Sequence, residues 1–147
     1  MLGRPALPVA CFLLLLGCGR LERECRALSA TANAFIAESE RLRPRADATP
    51  EEAAKAELMT ASRYEKLATD LSALKVESSE LSPEVARYRE LAEHSAASLR
   101  AVASALTRGD FEAARQKRVE LGRAAGGEGP LVTKINEVCG VKPDGGA

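Results

Sequence analysis

Inward-facing positions recur along most of this chain at alternating intervals of four and three, the spacing of one stripe on an α-helix. From Arg20 to Arg43 the stripe is Leu21, Cys25, Leu28, Ala32, Phe35, Ser39 and Leu42, widened by Ile36. Glu22, Glu24, Arg26, Glu38, Glu40 and Arg41 cover the other side. Pro44 is the expected stop, because the residue before a proline avoids helical geometry. Thr49-Pro50-Glu51-Glu52 opens a second helix: Thr49 caps, Pro50 suits the first helical position, and Glu52 stands where a capping-box acid belongs. Its body runs to about Val76, with Leu58, Ala61, Tyr64, Leu67, Ala68, Leu71 and Leu74 inward, and Glu77-Ser78-Ser79-Glu80 forms a polar turn.

Ser82-Pro83-Glu84 repeats the start signal for a third helix. Leu81, Val85, Tyr88, Ala92, Ser95, Leu99, Val102 and Leu106 then follow in the cleanest heptad stretch of the chain. Gly109 stops this helix by taking a left-handed conformation, and Asp110 caps the next one. The fourth helix begins at Phe111 and turns Ala114, Arg118 or Val119, and Leu121 inward. Gly126-Gly127-Glu128-Gly129-Pro130 interrupts it, and a last segment from Leu131 to Cys139 carries Leu131, Ile135 and Val138. Residues 141–147 read as a flexible tail.

Spans of this length make rods of roughly 36–42 Å, and short connections make neighbours antiparallel. The expectation is an all-α protein, an antiparallel up-and-down four-helix bundle over residues 20–140 with its last helix interrupted. The core is lean: alanine is abundant, tryptophan is absent, and the whole chain holds 3 phenylalanines and 2 tyrosines. Small inward residues let helices approach closely, so little room for a bound cofactor is expected.

The start of the chain has a different character. Arg4 is followed by an apolar run from Ala6 to Gly17 of about a dozen residues, right for the core of a signal sequence and short of the ~20 needed to span a bilayer. The run ends in Leu15-Leu16-Gly17-Cys18, which resembles a lipobox, the processing site of bacterial lipoproteins. The resemblance implies cleavage after residue 17, lipid on the Cys18 sulfur and an acylated N-terminus at residues 18–19. Beyond those residues the chain is similar, in composition and pattern, to small helical lipoproteins of Gram-negative bacteria. Gly19 stands where an inner-membrane retention signal would carry Asp, so the resemblance points to the outer membrane, facing the periplasm.

Export decides how the cysteines are read. Cys11 leaves with the signal sequence and Cys18 takes the lipid, leaving Cys25 and Cys139. Disulfides persist in exported proteins, so a Cys25–Cys139 bridge is expected, and two distant thiols are too few for a metal site. The up-down-up-down order returns the end of the last segment to the start of the first helix, which suits that bridge.

Charge narrows the function classes. The chain has 21 basic and 21 acidic side chains, and loss of residues 1–17 removes only Arg4 among them. A nearly neutral chain argues against nucleic acid as a partner. His94, the single histidine, falls beside the inward stripe, as a flank residue. Covalent haem, di-iron and zinc-protease signatures are all missing, and no cofactor or metal is expected. Glu90 and Glu93 read as a solvated face, Ser78 and Ser79 as turn residues without a base. Arg108-Gly109-Asp110 spells an adhesion tripeptide whose glycine and aspartate already serve as helix stop and cap. Arg115, Lys117, Arg118 and Arg123 make the fourth helix locally basic, read as a solvated face, with an acidic partner or polysaccharide as the functional alternative.

Two functional expectations follow. The first is a non-enzymatic interaction or structural module, held at the membrane through Cys18 and contacting another envelope protein through a helix face. The second is a bundle that senses or carries a small molecule or metal ion, which requires a cavity.

Overall fold

A computed structural model describes residues 10–39 and 47–141, with side chains from residue 19 onward. Every element among them is helical: α1 (Ala10–Ser39), α2 (Pro50–Ala73), α3 (Ser82–Thr107), α4 (Phe111–Ala125) and α5 (Glu128–Val138). They form the expected four antiparallel rods, α4 and α5 together making the fourth. Leu42, the Pro44 stop and the tail beyond Val141 lie outside the described residues. The helix that holds the first stripe extends back to Ala10, without a break at Cys18. No described helix is long and apolar enough to cross a membrane.

The ends of the helices follow local chemistry. Thr49 and Glu52 close a reciprocal capping box, with the Glu52 carboxylate accepting from Thr49 N–H at 2.8 Å and the Thr49 hydroxyl accepting from Glu52 N–H at 3.2 Å. Gly109 adopts φ +72°, which an L side chain rarely takes, and Asp110 accepts from Ala113 N–H at 3.0 Å. The start of α3 differs from expectation. Leu81 occupies the cap position in helical geometry without a side-chain cap, and Ser82 already belongs to the helix, its N–H bonding Ser78 O at 2.9 Å. The α2 helix also stops earlier than Val76, at Ala73, and Val76 lies half-buried in the connection.

The α2–α3 hairpin is the spine, and its two halves are covered by different helices. In the half near the α2–α3 turn, Cys25 and Leu28 of α1 pack with Leu67 and Leu71 of α2 and with Leu81, Val85 and Tyr88 of α3, closed by Leu131 and Ile135 of α5. In the other half, Ala54 of α2 and Val102, Ala103 and Leu106 of α3 pack on Ala114 of α4. Every inward position expected on α3 is buried. Burying leucines and valines this fully contributes about 1.5–3 kcal/mol each before the entropy of ordering them.

Three inward assignments on the other helices are corrected. Ile36 is 51% exposed on the outer side of α1, and Leu58 is 42% exposed on a flank of α2 that the described part of α1 does not cover. Val119 is also outward, at 44%. In the opposite direction, Glu24 is buried rather than on the outer face. Its carboxylate accepts from the N–H groups of Glu77 (3.0 Å) and Ser78 (3.2 Å), anchoring α1 to the α2–α3 turn. Arg20 pairs with Glu77 at 3.1 Å beside it.

Cys25 and Cys139 are joined by a disulfide with a Cα–Cα distance of 5.7 Å, linking the first rod to the last across 114 positions. Both lie at the end of the molecule to which Glu24 also belongs. Cys18 is two helical turns earlier on α1, about 10 Å away along the axis.

The interruption of the fourth rod has a local cause. Pro130 has no N–H to offer the carbonyl of Gly126, and its ring would crowd that carbonyl in a continuous helix. The backbone tightens instead. Gly127 N–H bonds Ala124 O at 3.0 Å, and Gly126 N–H is shared between Gly122 O and Arg123 O, each at 3.2 Å. A Cβ on Gly126 would stand 3.1 Å from Arg123 O, so glycine suits this approach. The segment from Gly126 to Pro130 is therefore a tight kink in right-handed helical backbone rather than an open loop.

Candidate functional site

The kink leaves a cleft. Its floor is α3, its walls are α2 on one side and α4 with the start of α5 on the other, and its volume is about 440 Å³. The residues facing each other across it are small: Ala92 and Ser95 on α3, Gly122 and Ala125 on α4. None is large enough to fill the space between rods that α3 holds apart. The lean core expected to close the bundle tightly has the opposite effect here, because the fourth rod bends at the point where side chains are smallest. Leu91, Leu99 and Leu121 make the rest of the lining apolar.

Polar groups converge on this apolar space. Tyr64 of α2 and Tyr88 of α3 line it together with Ser95. Tyr88 is 6% exposed and Ser95 4%; among the described residues neither hydroxyl bonds a protein group, and neither oxygen is closed off from solvent. Both border the cleft, where water or a ligand can reach their hydroxyls. Burial raises the pKa of both phenols, and the nearby charge of Glu128 raises it further, Tyr88 reaching about 12. Tyr64 is braced from behind by Phe35 of α1, with ring centroids 4.7 Å apart at 55°.

The charged lining is asymmetric. Arg118 spans the cleft to Glu57 of α2, its Nη2 at 2.7 Å and its Nε at 3.1 Å from Glu57 Oε1. That pair ties α4 to α2 and neutralises both groups. Glu128, at the first position of α5, is half-buried and makes no ion pair among the described residues. Arg118, the alternative to Val119 as an inward residue, is also exposed, and it reaches along the cleft to bridge the two rods.

Other sequence-level candidates sort differently. His94 is exposed, as expected of a flank residue. Glu93 pairs with Arg89 at 3.5 Å, and Ser78 serves the Glu24 anchor through its N–H. The basic stretch of α4 is largely neutralised: Arg115 pairs with Glu112 and Lys117 with Glu120, at 2.6 and 2.7 Å, in addition to Arg118 with Glu57. Among the described residues no three His, Cys, Asp or Glu side chains are grouped to hold a metal ion. The Cys18 backbone belongs to α1, and its side chain lies outside the described residues.

Sequence reasoning missed the cleft itself. Its signals were present: two tyrosines on inward stripes of adjacent helices, small residues opposite them, and a proline that bends the fourth rod. Only the relative heights of these residues on different helices reveal that they meet. No family model matches the chain, and comparison with curated proteins and with solved structures finds no match.

Proposed function

We propose that this protein is a lipid-tethered, non-enzymatic binding module of the bacterial envelope, and that what it binds is a small molecule held in the cleft at the α4–α5 kink. The observation that carries this reading is a 440 Å³ cleft of mostly apolar lining on which the hydroxyls of Tyr64, Tyr88 and Ser95 and the carboxylate of Glu128 converge. Small-molecule sites are concave and mostly apolar, about 300–1,000 Å³, with a few convergent polar groups. A ligand in the cleft pairs with those hydroxyls in place of water. The tether rests on Leu15-Leu16-Gly17-Cys18 and its resemblance to a lipobox, with the outer membrane facing the periplasm as the proposed address.

The test compares protein isolated from membranes with the same protein stripped of small molecules in denaturant and refolded. A ligand at 100 times its Kd stabilises the native state by about 2.7 kcal/mol, so the isolated protein melts higher than the stripped one. Gly122→Leu narrows the cleft from its α4 wall, where an added Cβ meets no atom within 4 Å, and removes the difference. Identical melting of isolated and stripped wild-type protein would count against the ligand.

The interaction-module reading keeps one observation of its own. Phe111 and Val119 stand 57% and 44% exposed on α4, an apolar surface for another envelope protein. In-cell crosslinking tests it: Phe111→Ser and Val119→Ser abolish a crosslinked partner if this surface is the contact and leave it unchanged if it is not.

A further inference from the structure

The proposed cleft has a charge preference. The acceptors and donors lining it are unequal in their commitments. Arg118, the one basic side chain in the lining, is committed to Glu57 through both Nε and Nη2. Glu128 makes no ion pair among the described residues, although it is half-buried beside two phenols. A carboxylate partly withdrawn from water is stabilised by a cation more strongly than an exposed one, because the local dielectric is lower. Aromatic rings add attraction for an ammonium group, and both tyrosines of the chain line this one cleft. Ser95 and the phenol oxygens also accept hydrogen bonds, which an ammonium N–H can donate. The leucine and alanine lining leaves the rest of the ligand apolar.

We infer that the cleft takes an organic ammonium: a small molecule with an apolar body and one cationic nitrogen, the cation placed at Glu128 between Tyr64 and Tyr88 and the body laid along Leu91, Leu99 and Leu121. This rests on the reading of the cleft as a binding site and names the class of ligand. An anionic ligand of the same shape meets the Glu128 charge with no free cation to offset it. A neutral one leaves that charge uncompensated. The bundle thus selects by charge at the mouth and by shape along the floor.

The chain itself supplies a reporter. It has no tryptophan and 2 tyrosines, so tyrosine emission comes from the cleft alone. Three probes of one shape, octylammonium, octanol and octanoate, are titrated into stripped, refolded protein below their micellar concentrations. Octylammonium binds about tenfold tighter than octanol, and octanoate binds weakest. Glu128→Gln keeps the size of the side chain and one acceptor oxygen, removes its charge and brings octylammonium to within about twofold of octanol. Circular dichroism of the variant confirms that it is folded.

Octanol or octanoate binding as tightly as octylammonium overturns the ammonium inference while leaving the cleft as a binding site. An unchanged preference in folded Glu128→Gln overturns the assignment of the cation to Glu128. No response to any probe overturns the inference too, and the melting comparison of isolated and stripped protein then decides the cleft reading separately.

Discussion

Glu128, at the first position of α5, lies within electrostatic reach of the Tyr88 hydroxyl on α3, although 40 positions separate them in the chain. Burial and then that charge push the Tyr88 phenol up to about 12, and Tyr64 of α2 shifts in the same direction. The kink after Ala125 is what brings the α5 carboxylate over the middle of α3. Local backbone chemistry at Pro130 therefore shapes the electrostatics of a site formed by three other helices.

The raised phenol makes stability fall in alkali. The unfolded tyrosine ionises near pH 10 while folded Tyr88 still holds its proton, so the folded state binds more protons between about pH 10 and about pH 12. Its contribution is complete below pH 10 and is lost as pH rises toward 12. The expected loss is about 1–2 kcal/mol, less than the full shift implies because the site borders an open cleft. Denaturant titrations across this range measure it, and Tyr88→Phe reduces the slope. Glu128→Gln moves the tyrosinate absorbance titration to lower pH without restoring the free value, since burial remains.

Glu24 anchors α1 through two N–H groups of the α2–α3 turn. Glu24→Ala leaves those donors without their acceptor in a buried setting and costs about 2–3 kcal/mol in denaturant unfolding. Glu24→Gln retains one acceptor oxygen and recovers part of that loss. A Glu24→Ala protein as stable as wild type would show that water satisfies the turn equally well.

The Cys25–Cys139 bridge closes almost the whole described chain and restricts its unfolded state, contributing about 4–5 kcal/mol as an upper figure in the chain-entropy model. Cys25→Ser, Cys139→Ser and the double variant should lose similar stability, because each removes the same bond. Additive losses from the single changes would indicate that burial of the individual side chains matters more than the bond.

Gly109 ends α3 at φ +72°. Nothing stands within 4 Å of a Cβ added there, so Gly109→Ala isolates the backbone term. The expected cost is about 1 kcal/mol by thermal or denaturant unfolding, with helix content unchanged.

Most of the frame was legible because it is written locally. The α3 stripe from Leu81 to Leu106 lies on one face whatever packs against it, and Thr49, Gly109 and Asp110 act through atoms a few positions away. The Cys25–Cys139 pairing followed from the expectation of export and from rods of similar length. Glu24, Leu58 and the cleft were not legible for a shared reason. Periodicity tells which face of a helix is apolar, but not how far a neighbour extends along it. Glu24 is buried because a turn from another hairpin reaches it, and Leu58 is exposed because the described part of α1 does not. Ala92, Ser95, Gly122 and Ala125 look like close-packing residues on their own helices. They become walls of a cleft only when the fourth rod bends between them.

The proposed function requires that the cleft hold a ligand in the cell. Native mass spectrometry of wild-type protein taken gently from membranes answers this most directly, with Gly122→Leu prepared in parallel. A ligand held in the cleft gives the wild-type chain an additional mass, beyond any covalent groups, that denaturation releases and that Gly122→Leu lacks. Wild-type protein at the mass of the chain and its covalent groups alone, or an equal added mass on Gly122→Leu, would contradict the binding function.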